Sequence, residues 1–352
     1  MSQFWSDIVH QLQPYTPGEQ PQIDGIIKLN TNESPYPPSD KVLAAIAAAN
    51  SADLRKYPDP NASALKRCLA ESTDLKPKQV FVGNSSDEVL GHAFRGLLKQ
   101  HKPLLFPDLT YSFYPVYCGL FEINFEEIPL NESFEIDIRD YERDAGAIIF
   151  ANPNAPTGIH LPLAQIEALC QMHRNAVIVV DEAYADFAGQ SATSLVNKYD
   201  NLLVTQTLSK SRALAGLRVG MAFGHADLIE ALERVKNCFH PYALDRLALA
   251  GAEAALKDQA YFADSVAKIN ATRKTTIETL EGLGFSVLPS QANFVLVSHE
   301  SSSAESLFQR LRDHKIIVRH FKHPRISNYL RISIGTNEEM QALFDVLSQA
   351  LQ

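Results

Sequence analysis

The chain is poor in cysteine, has no long apolar run and carries no excess of basic residues, and each absence excludes a class of protein. Its four cysteines, Cys68, Cys118, Cys170 and Cys238, are widely spaced and form no Cys-x-x-Cys pair. We therefore expect single reduced thiols, without a disulfide framework or a metal site. Acidic residues (41) outnumber Lys and Arg (32), so neither nucleic acid nor an anionic membrane is expected as the main partner. No apolar run approaches the roughly 20 residues of a membrane span.

The N-terminus lacks the basic flank and apolar core of a secretory signal, so a cytoplasmic location is expected. Instead, Phe4, Trp5, Ile8, Val9 and Leu12 recur at helical spacing. This pattern predicts an amphipathic arm that packs on the C-terminal part of the chain or on a partner subunit.

Short apolar runs alternate with amphipathic segments along much of the chain. One amphipathic segment is 163–173, and the apolar runs are 80–82, 104–106, 147–150, 177–180, 202–205 and 219–223. Such alternation predicts an α/β fold, with a largely parallel sheet and helices on both of its faces.

The pattern changes near Lys236. A long helical stretch, 244–283, precedes two β-like runs at 294–297 and 330–334, with a third run, 316–321, between them. Thr336 and Glu339 form a capping box that predicts the start of the last helix. We therefore predict an N-terminal arm (1–28), a large domain (29–244) and a small α+β domain (245–352).

The most informative residue is Lys210, which ends a Thr-Leu-Ser-Lys segment and precedes Arg218 by eight residues. Asp181 lies 29 residues upstream (210 − 181), directly after an apolar run, and Tyr184 follows it. The carboxylate is therefore expected at the edge where open α/β sheets bind ligands. An amine, hydroxyls, a cation, a carboxylate and a phenol are the groups that hold pyridoxal phosphate.

Each of these residues has a simpler interpretation when taken alone. Lys210 would be a solvated loop lysine, and Asp181 a helix cap. Together they suggest more, because a carboxylate keeps a pyridine nitrogen protonated through a charge-assisted bond of about 1.5–3 kcal/mol. Tyr184 could donate to the ring oxygen, while Thr207, Ser209 and Arg218 are of phosphate-binding types.

Two turns and two arginines leave alternatives open. The segment 83–88 (Gly-Asn-Ser-Ser-Asp-Glu) begins a helix, so it is either a phosphate seat or a simple capping box of Ser85 with Glu88. The segment 152–158 (Asn-Pro-Asn-Ala-Pro-Thr-Gly) is a constrained turn, with or without a ligand. Arg319 and Arg331 lie among strand-forming residues, as ion-paired edge residues or as anion receptors.

Segments along nearly the whole chain resemble, in order, motifs of the aspartate aminotransferase superfamily of pyridoxal-phosphate enzymes, which have fold type I. The segments are 29–35 (Leu-Asn-Thr-Asn-Glu-Ser-Pro), 57–60 (Tyr-Pro-Asp-Pro), 83–88, 152–158, 181–184 (Asp-Glu-Ala-Tyr), 207–220 and 330–335 (Leu-Arg-Ile-Ser-Ile-Gly). Within the superfamily they are similar to the class-II histidinol-phosphate aminotransferase family. The resemblance implies a large domain with a mostly parallel seven-stranded sheet sandwiched by helices, a small α+β C-terminal domain, pyridoxal 5′-phosphate as cofactor and a homodimer.

The resemblance also implies a role for each candidate residue. Lys210 would carry the cofactor covalently and move a proton between substrate and cofactor, while Asp181 would hold the ring nitrogen and Tyr184 the ring oxygen. The other implied positions are Ser85, Ser86, Thr207, Ser209 and Arg218 around the phosphate, Tyr57 reaching that phosphate from the other subunit, Tyr111 stacked on the ring, and Tyr15, Arg319 and Arg331 at the anionic end of the substrate.

One position departs from the superfamily pattern. An Asn usually binds the ring oxygen directly before Pro-Thr-Gly, and here that position is Ala155. Either Asn154, one residue earlier, takes over this role, or Tyr184 carries it alone.

The implied reaction is a ping-pong transfer between L-histidinol phosphate and 2-oxoglutarate that gives imidazole-acetol phosphate and L-glutamate, as in histidine biosynthesis. Aromatic amino-acid aminotransferases and a threonine-phosphate decarboxylase share many of the motifs, so both activities stay open as alternatives. A cofactor-binding regulator is disfavoured, because it would need a DNA-binding segment and the enzyme pattern begins almost at the N-terminus.

Overall fold

The computed structural model describes residues 2–351, in which helices and strands alternate. The α-helices are α1 Asp7–Gln11, α2 Asp40–Ala49, α3 Ser63–Thr73, α4 Ser85–Ala93, α5 Tyr114–Phe121, α6 Leu163–Met172, α7 Ala185–Ala188, α8 Ala226–Phe239, α9 Arg246–Lys257, α10 Gln259–Gly282, α11 Ala304–Asp313 and α12 Asn337–Ala350. The strands are β1 Ile27–Lys28, β2 Val80–Asn84, β3 Leu104–Pro107, β4 Phe125–Ile128, β5 Ala147–Ala151, β6 Val177–Asp181, β7 Leu202–Thr207, β8 Val219–Gly224, β9 Phe285–Val287, β10 Phe294–His299, β11 Ile316–Ile317, β12 Arg319–His320 and β13 Leu330–Ser333.

A seven-stranded sheet forms the centre of the molecule, in the order β2-β8-β7-β6-β5-β3-β4. Its strands are parallel except β8, which runs antiparallel to both of its neighbours. Ile148 and Val180 point into the apolar cluster on one face, while Ile149 and Val179 point into the cluster on the other. Burial on both faces explains why these strands are continuous apolar runs. The predicted α/β fold with a mostly parallel sheet is confirmed.

The sequence analysis missed one strand of this sheet. Strand β4 pairs with β3 at the edge, and only Ile128 of its four residues is buried. An exposed edge strand needs no apolar run, and Glu126 and Glu127 interrupt the apolar residues of this segment. The six runs that were predicted as strands all form strands, each extended at its C-terminal end.

A four-stranded antiparallel sheet, β12-β13-β10-β9, follows in the C-terminal region. Before the chain enters the large sheet, it runs along the C-terminal strands. Strand β1 pairs with β11, and the Ser333 N–H donates to the Leu29 carbonyl at 3.0 Å. Residues 29–33 therefore lie next to the C-terminal strands in space, although these strands are about 300 positions away in sequence. This placement brings the 29–35 motif to the functional site described below.

The predicted helical stretch 244–283 is two helices, which separate at Asp258. Helix α9 packs in the apolar cluster of the large sheet through Ala248 and Ala252, whereas Ile269 and Leu280 of α10 pack with the smaller sheet. The domain boundaries at residues 28 and 244 stay predictions, and the packing of α9 favours a second boundary near Asp258. The capping box of Thr336 and Glu339 is confirmed, with hydrogen bonds of 2.8 and 3.2 Å.

The predicted N-terminal arm is only partly helical. Helix α1 covers five residues, none of them buried, and the Phe4 side chain is 85% exposed. None of these apolar side chains belongs to the apolar cluster of the C-terminal sheet, although Ile8 and Leu12 are half-buried, so packing on a partner subunit stays a prediction. Among residues 2–351 no helix is long and apolar enough to cross a membrane.

Candidate active site

A cavity of about 970 Å³ lies beside the C-terminal edge of the large sheet. Its walls come from segments distant in sequence, and they include several of the predicted site residues. Among the lining residues are Tyr15, Asn30, Thr31, Asn32, Thr110, Tyr111, Ala155, Tyr184, Lys210, Arg218, Arg319, Phe321, His323 and Arg331.

Lys210 follows strand β7 and is half-buried in the wall of this cavity. Its Nζ donates a hydrogen bond to the Thr31 carbonyl at 3.0 Å and lies 5.9 Å from the centre of the Tyr184 ring. The interpretation as a solvated loop lysine is therefore wrong. The amine sits next to a phenol in a cleft large enough for a cofactor and a small substrate.

Asp181 ends strand β6, the predicted location at the sheet edge, and is 4% exposed. Its carboxylate accepts hydrogen bonds from the hydroxyls of Tyr114 at 3.0 Å and Thr205 at 3.2 Å. Burial raises the pKa of Asp181 from 3.8 to about 6, and the nearby Asp87 carboxylate adds to this rise. Asp181 caps no helix, and among the described residues it forms no ion pair. A buried carboxylate whose donors, these hydroxyls and the Ala183 backbone N–H, are all uncharged is a good partner for a protonated ring nitrogen.

Tyr184 lies three residues after Asp181 and is buried. Its hydroxyl accepts a hydrogen bond from Asn32 Nδ2 at 2.9 Å. Asn32 belongs to the 29–35 motif, for which the sequence analysis assigned no chemical role. Its contact with Tyr184 joins residues 152 positions apart, and no local pattern indicates such a contact.

The predicted phosphate residues meet where β2 ends and α4 begins. The Ser85 N–H donates to the Arg218 carbonyl at 2.6 Å, and Thr207 Oγ1 donates to Ser209 Oγ at 2.9 Å. A Cβ at Gly220 would lie 2.3 Å from Ser86 N, so only glycine permits this approach. The cluster combines hydroxyls, a guanidinium and the start of a nine-residue helix, a donor set that suits a phosphate.

The alternative interpretation of segment 83–88, a capping box of Ser85 with Glu88, is wrong. Glu88 Oε2 accepts the N–H of Asn84, one residue earlier, which leaves the Ser85 hydroxyl free of the cap. The Ser85 backbone is left-handed, with a φ of 74°.

Asp87 is a residue that the sequence analysis missed. It accepts hydrogen bonds from the Tyr111 hydroxyl at 3.0 Å and from Arg218 Nη2 at 2.9 Å. It thereby holds two predicted cofactor residues in place. An acidic residue in the first turn of a helix is so common that it carries no functional signal by itself.

The amide of Asn154 is occupied by hydrogen bonds to its own turn and to the segment 109–110. Its Nδ2 donates to the Leu109 carbonyl at 3.0 Å and to Thr157 Oγ1 at 3.1 Å, and its Oδ1 accepts from Thr110 Oγ1 at 2.9 Å. Ala155 lines the cavity and Asn154 does not. The geometry gives no support to the prediction that Asn154 binds the ring oxygen.

Arg319 and Arg331 face each other across β12 and β13 and line the same cavity. Neither forms an ion pair within residues 2–351, so the edge ion-pair interpretation is wrong. Arg331 donates to the Asn30 carbonyl at 2.9 Å, yet its buried Nε has no partner in the described part of the chain. Burial lowers the pKa of Arg331, and the neighbouring Arg319 cation adds to that effect. Two adjacent guanidinium groups without an ion-pair partner in the described part of the chain are suited to binding an anion.

His323 also lines this cavity and was missed. Its Nδ1 accepts the Arg325 N–H at 3.3 Å, which leaves Nε2 as the nitrogen that carries the proton in the neutral ring. Tyr15 lies in the same wall, with its ring 4.8 Å from that of Phe113. Tyr57, in contrast, is 79% exposed and stacks on Tyr242, outside the cavity.

The fold and this set of residues define a fold type I pyridoxal-phosphate enzyme. A profile of the family described as aminotransferase class I and II matches residues 24–347, and the chain belongs to this family. It is accordingly a pyridoxal-phosphate-dependent aminotransferase. A histidinol-phosphate aminotransferase of Pseudomonas putida is 57% identical over 99% of this chain and 100% of its own length. Histidinol-phosphate aminotransferase 1 of Pseudomonas aeruginosa is also 57% identical, over 99% of each chain.

Solved structures agree with this assignment. The histidinol-phosphate aminotransferase of Sinorhizobium meliloti, solved in complex with pyridoxal-5′-phosphate, superposes with a TM-score of 0.89 at 25% identity, over 100% of this chain and 98% of that one. An aspartate aminotransferase mutant of Thermus thermophilus superposes with a TM-score of 0.82 at 19% identity, over 99% of each chain, a likeness of fold alone.

We predict that replacing Asp181 by Asn changes the pH dependence of stability and weakens cofactor binding. The raised pKa means that Asp181 stabilises the cofactor-free chain below about pH 3.8, and that this contribution is lost as the pH rises through about 6. The Asp181→Asn variant does not lose this stability. The difference in melting temperature, variant minus wild type, should therefore increase between about pH 3.8 and 6. Without a carboxylate for the ring nitrogen, pyridoxal phosphate should bind about 10- to 100-fold more weakly near neutral pH.

The exposed Asp140→Asn provides the control, with no change expected in either quantity. Burial also raises the pKa of Glu182, to about 7, but this affects both proteins equally and cancels in the comparison. Equal cofactor affinity in wild type and Asp181→Asn would contradict the proposed partnership with the ring nitrogen.

Proposed function

We propose that this aminotransferase exchanges an amino group between L-histidinol phosphate and 2-oxoglutarate, giving imidazole-acetol phosphate and L-glutamate. The observation that carries the proposal is the pair Arg319 and Arg331, which lines the same cavity as Lys210 and forms no ion pair with a carboxylate within residues 2–351. Full-length relatives at 57% identity that are named histidinol-phosphate aminotransferases support the same substrate.

The residues around the cofactor divide its binding into separate tasks. Ser85, Ser86, Thr207, Ser209 and Arg218 hold the phosphate, where hydroxyls and backbone N–H groups at the start of α4 converge. Tyr111, fixed by Asp87, covers the ring. Pyridoxal phosphate, when bound, supplies the aldehyde that receives the amine and the ring that withdraws electrons.

The remaining groups handle protons. The Asp181 carboxylate would keep the ring nitrogen protonated, and the Tyr184 hydroxyl would donate to the ring oxygen. Lys210 Nζ would hold the cofactor and, once the amine of the substrate had taken its place, would remove the proton from the amine-bearing carbon and return it on the cofactor side. Its contact with the Thr31 carbonyl shows that the side chain reaches into the cavity.

The anion site explains how one cavity accepts two different amino donors. Histidinol phosphate carries a tetrahedral phosphate, and glutamate carries a planar distal carboxylate. Guanidinium groups bind the oxygens of either group bidentately. Tyr15 and the Nε2–H of His323 would add donors at the same end. In a ping-pong sequence the two substrates occupy the site in turn, so one anion site serves both.

The proposal is tested by comparing kcat/KM for histidinol phosphate, phenylalanine and tyrosine, each with 2-oxoglutarate. Histidinol phosphate should be preferred, because only its phosphate neutralises both arginines. Arg319→Gln should lower kcat/KM for histidinol phosphate by about 10- to 100-fold, the loss of one charge-assisted contact. The exposed Arg310→Gln is the matched control and should leave kcat/KM unchanged.

The alternative activities give distinct results in the same assays. Good turnover of phenylalanine or tyrosine with poor turnover of histidinol phosphate would make the chain an aromatic amino-acid aminotransferase. Release of carbon dioxide from phosphothreonine without a keto-acid acceptor would indicate the decarboxylase.

We also propose that two copies of the chain form a homodimer, with Tyr57 of each copy reaching the phosphate site of the other. The support is the exposure of aromatic side chains at this tyrosine and near its stacking partner: Tyr57 is 79% exposed and stacks on Tyr242, while Phe239, three residues before Tyr242, is 82% exposed. Apolar surface of this kind is usually covered in the assembled protein. A cytoplasmic location belongs to this proposal and is consistent with the four free cysteines.

We predict a solution mass of about 78 kDa (2 × 39.0 kDa) by light scattering. Tyr57→Phe should weaken cofactor binding about 10-fold through the lost hydrogen bond, with an unchanged mass. Tyr242→Phe, which keeps the stacked ring, should alter neither quantity. A monomeric active enzyme, or a Tyr57→Phe variant with normal cofactor affinity, would refute the shared site.

A further inference from the structure

Asn32 occupies an unusual position for a residue without an assigned role. Its backbone has a φ of 58°, in the left-handed region, and it is 1% exposed. Asparagine tolerates this conformation better than most residues, but the position is still strained relative to extended or helical backbone. It follows Thr31, whose carbonyl accepts the Lys210 amine, and it lines the cofactor cavity.

The hydrogen bonds around Asn32 fix the orientation of its amide. Its N–H donates to Ser333 Oγ at 2.9 Å, and Ser333 Oγ donates its single proton to Asn32 Oδ1 at 2.8 Å. Asn293 Nδ2 donates to the Asn32 carbonyl at 3.0 Å. The amide oxygen therefore faces Ser333, and Nδ2 faces the Tyr184 hydroxyl at 2.9 Å.

This arrangement also fixes the direction of the Tyr184 hydroxyl proton. Because the Tyr184 oxygen accepts from Asn32, its own proton must point elsewhere. Within residues 2–351 that proton has no acceptor, although Tyr184 is 8% exposed and lines the cavity. A buried hydroxyl with an unused proton is expected to find a partner.

We propose that Asn32 is a positioning residue, which forces Tyr184 to act as a donor toward the cofactor's ring oxygen. The inference rests on the cofactor placement described under the proposed function, but not on the identity of the substrate. It accounts for a cavity in which Ala155 has no polar group and the Asn154 amide is used elsewhere. The strands of the C-terminal sheet take part, because Ser333 and Asn293 hold Asn32 in place.

The test uses the visible absorption of the bound cofactor as a function of pH, without substrate. Asn32→Asp keeps the size of the side chain and its tolerance of positive φ, but the carboxylate accepts where the amide donated. The Tyr184 proton should turn to this carboxylate and be lost to the ring oxygen. The ring oxygen then becomes more basic, so the pH midpoint of the absorption change should rise by about one unit.

A double-mutant cycle separates this effect from simple electrostatics. If Asn32 acts through Tyr184, most of the shift should vanish when Asn32→Asp is made in a Tyr184→Phe background. Asn30→Asp places the same charge two positions away, where the Asn30 amide binds the Glu19 carbonyl and not Tyr184, and should shift the midpoint much less. The charged groups nearby, Lys210, Arg331 and the Lys28–Glu33 pair, are the same in all of these proteins.

Three results would overturn the inference: no shift in Asn32→Asp, an equal shift in the Tyr184→Phe background, or an equal shift in Asn30→Asp. If Asn32→Asp fails to fold or to bind the cofactor, Asn32→Gly replaces it, since glycine accepts the positive φ and removes the donor. Its midpoint should rise by a smaller amount, and again only when Tyr184 is present. These spectra are recorded without substrate, so they test the role of Asn32 even if the chain does not act on histidinol phosphate.

Discussion

The buried carboxylate of Asp181 is the constraint on which the rest of the site depends. A mostly parallel sheet covered on both faces ends at this residue, so the carboxylate is buried and meets uncharged donors: the hydroxyls of Tyr114 and Thr205 and the Ala183 N–H. Burial raises its pKa to about 6, so ionising this carboxylate costs more than ionising an exposed one, and a nearby cation is needed to offset that cost. A protonated pyridine nitrogen meets this need, and the other cofactor residues follow from where that ring must then lie. Lys210 and Tyr184 both follow strands that end at the same edge.

The second charged feature has the opposite sign. The chain has a net charge of −9, yet Arg319 and Arg331 lie side by side, and neither forms an ion pair with a carboxylate in the described part of the chain. Aromatic faces surround them in place of counter-ions: the Arg331 guanidinium lies 5.2 Å from the Phe294 ring centre and 5.6 Å from that of Phe321. Cation–π contacts of this kind tolerate a buried guanidinium without neutralising it. An anionic substrate supplies the missing charge, which gives the site selectivity for phosphate or carboxylate.

Local patterns in the sequence predicted what depends on local physics. Strands buried on both faces appeared as apolar runs, and Thr336 with Glu339 marked the start of the last helix. Strand β4 escaped because an exposed edge strand needs no such run, and the break at Asp258 escaped because no glycine or proline marks it. The superfamily resemblance indicated Lys210, Asp181 and Arg218 as residues of one site. Asn32 and Asp87 could not be found this way, because their partners are set by tertiary contacts, in the case of Asn32 and Ser333 across 301 positions. His323 could not be found either, because only the folded chain brings it to the cavity wall.

The central claim is that Lys210 carries the cofactor covalently, opposite the Asp181 carboxylate. The most direct measurement is reduction of the pyridoxal-phosphate-loaded enzyme with borohydride, which makes the link permanent, followed by peptide mass spectrometry. The account predicts one phosphopyridoxyl group per chain, on the peptide that contains Lys210, and its absence from the Asp181-containing peptide. A modified lysine elsewhere in the chain, with Lys210 unmodified in active enzyme, would contradict it.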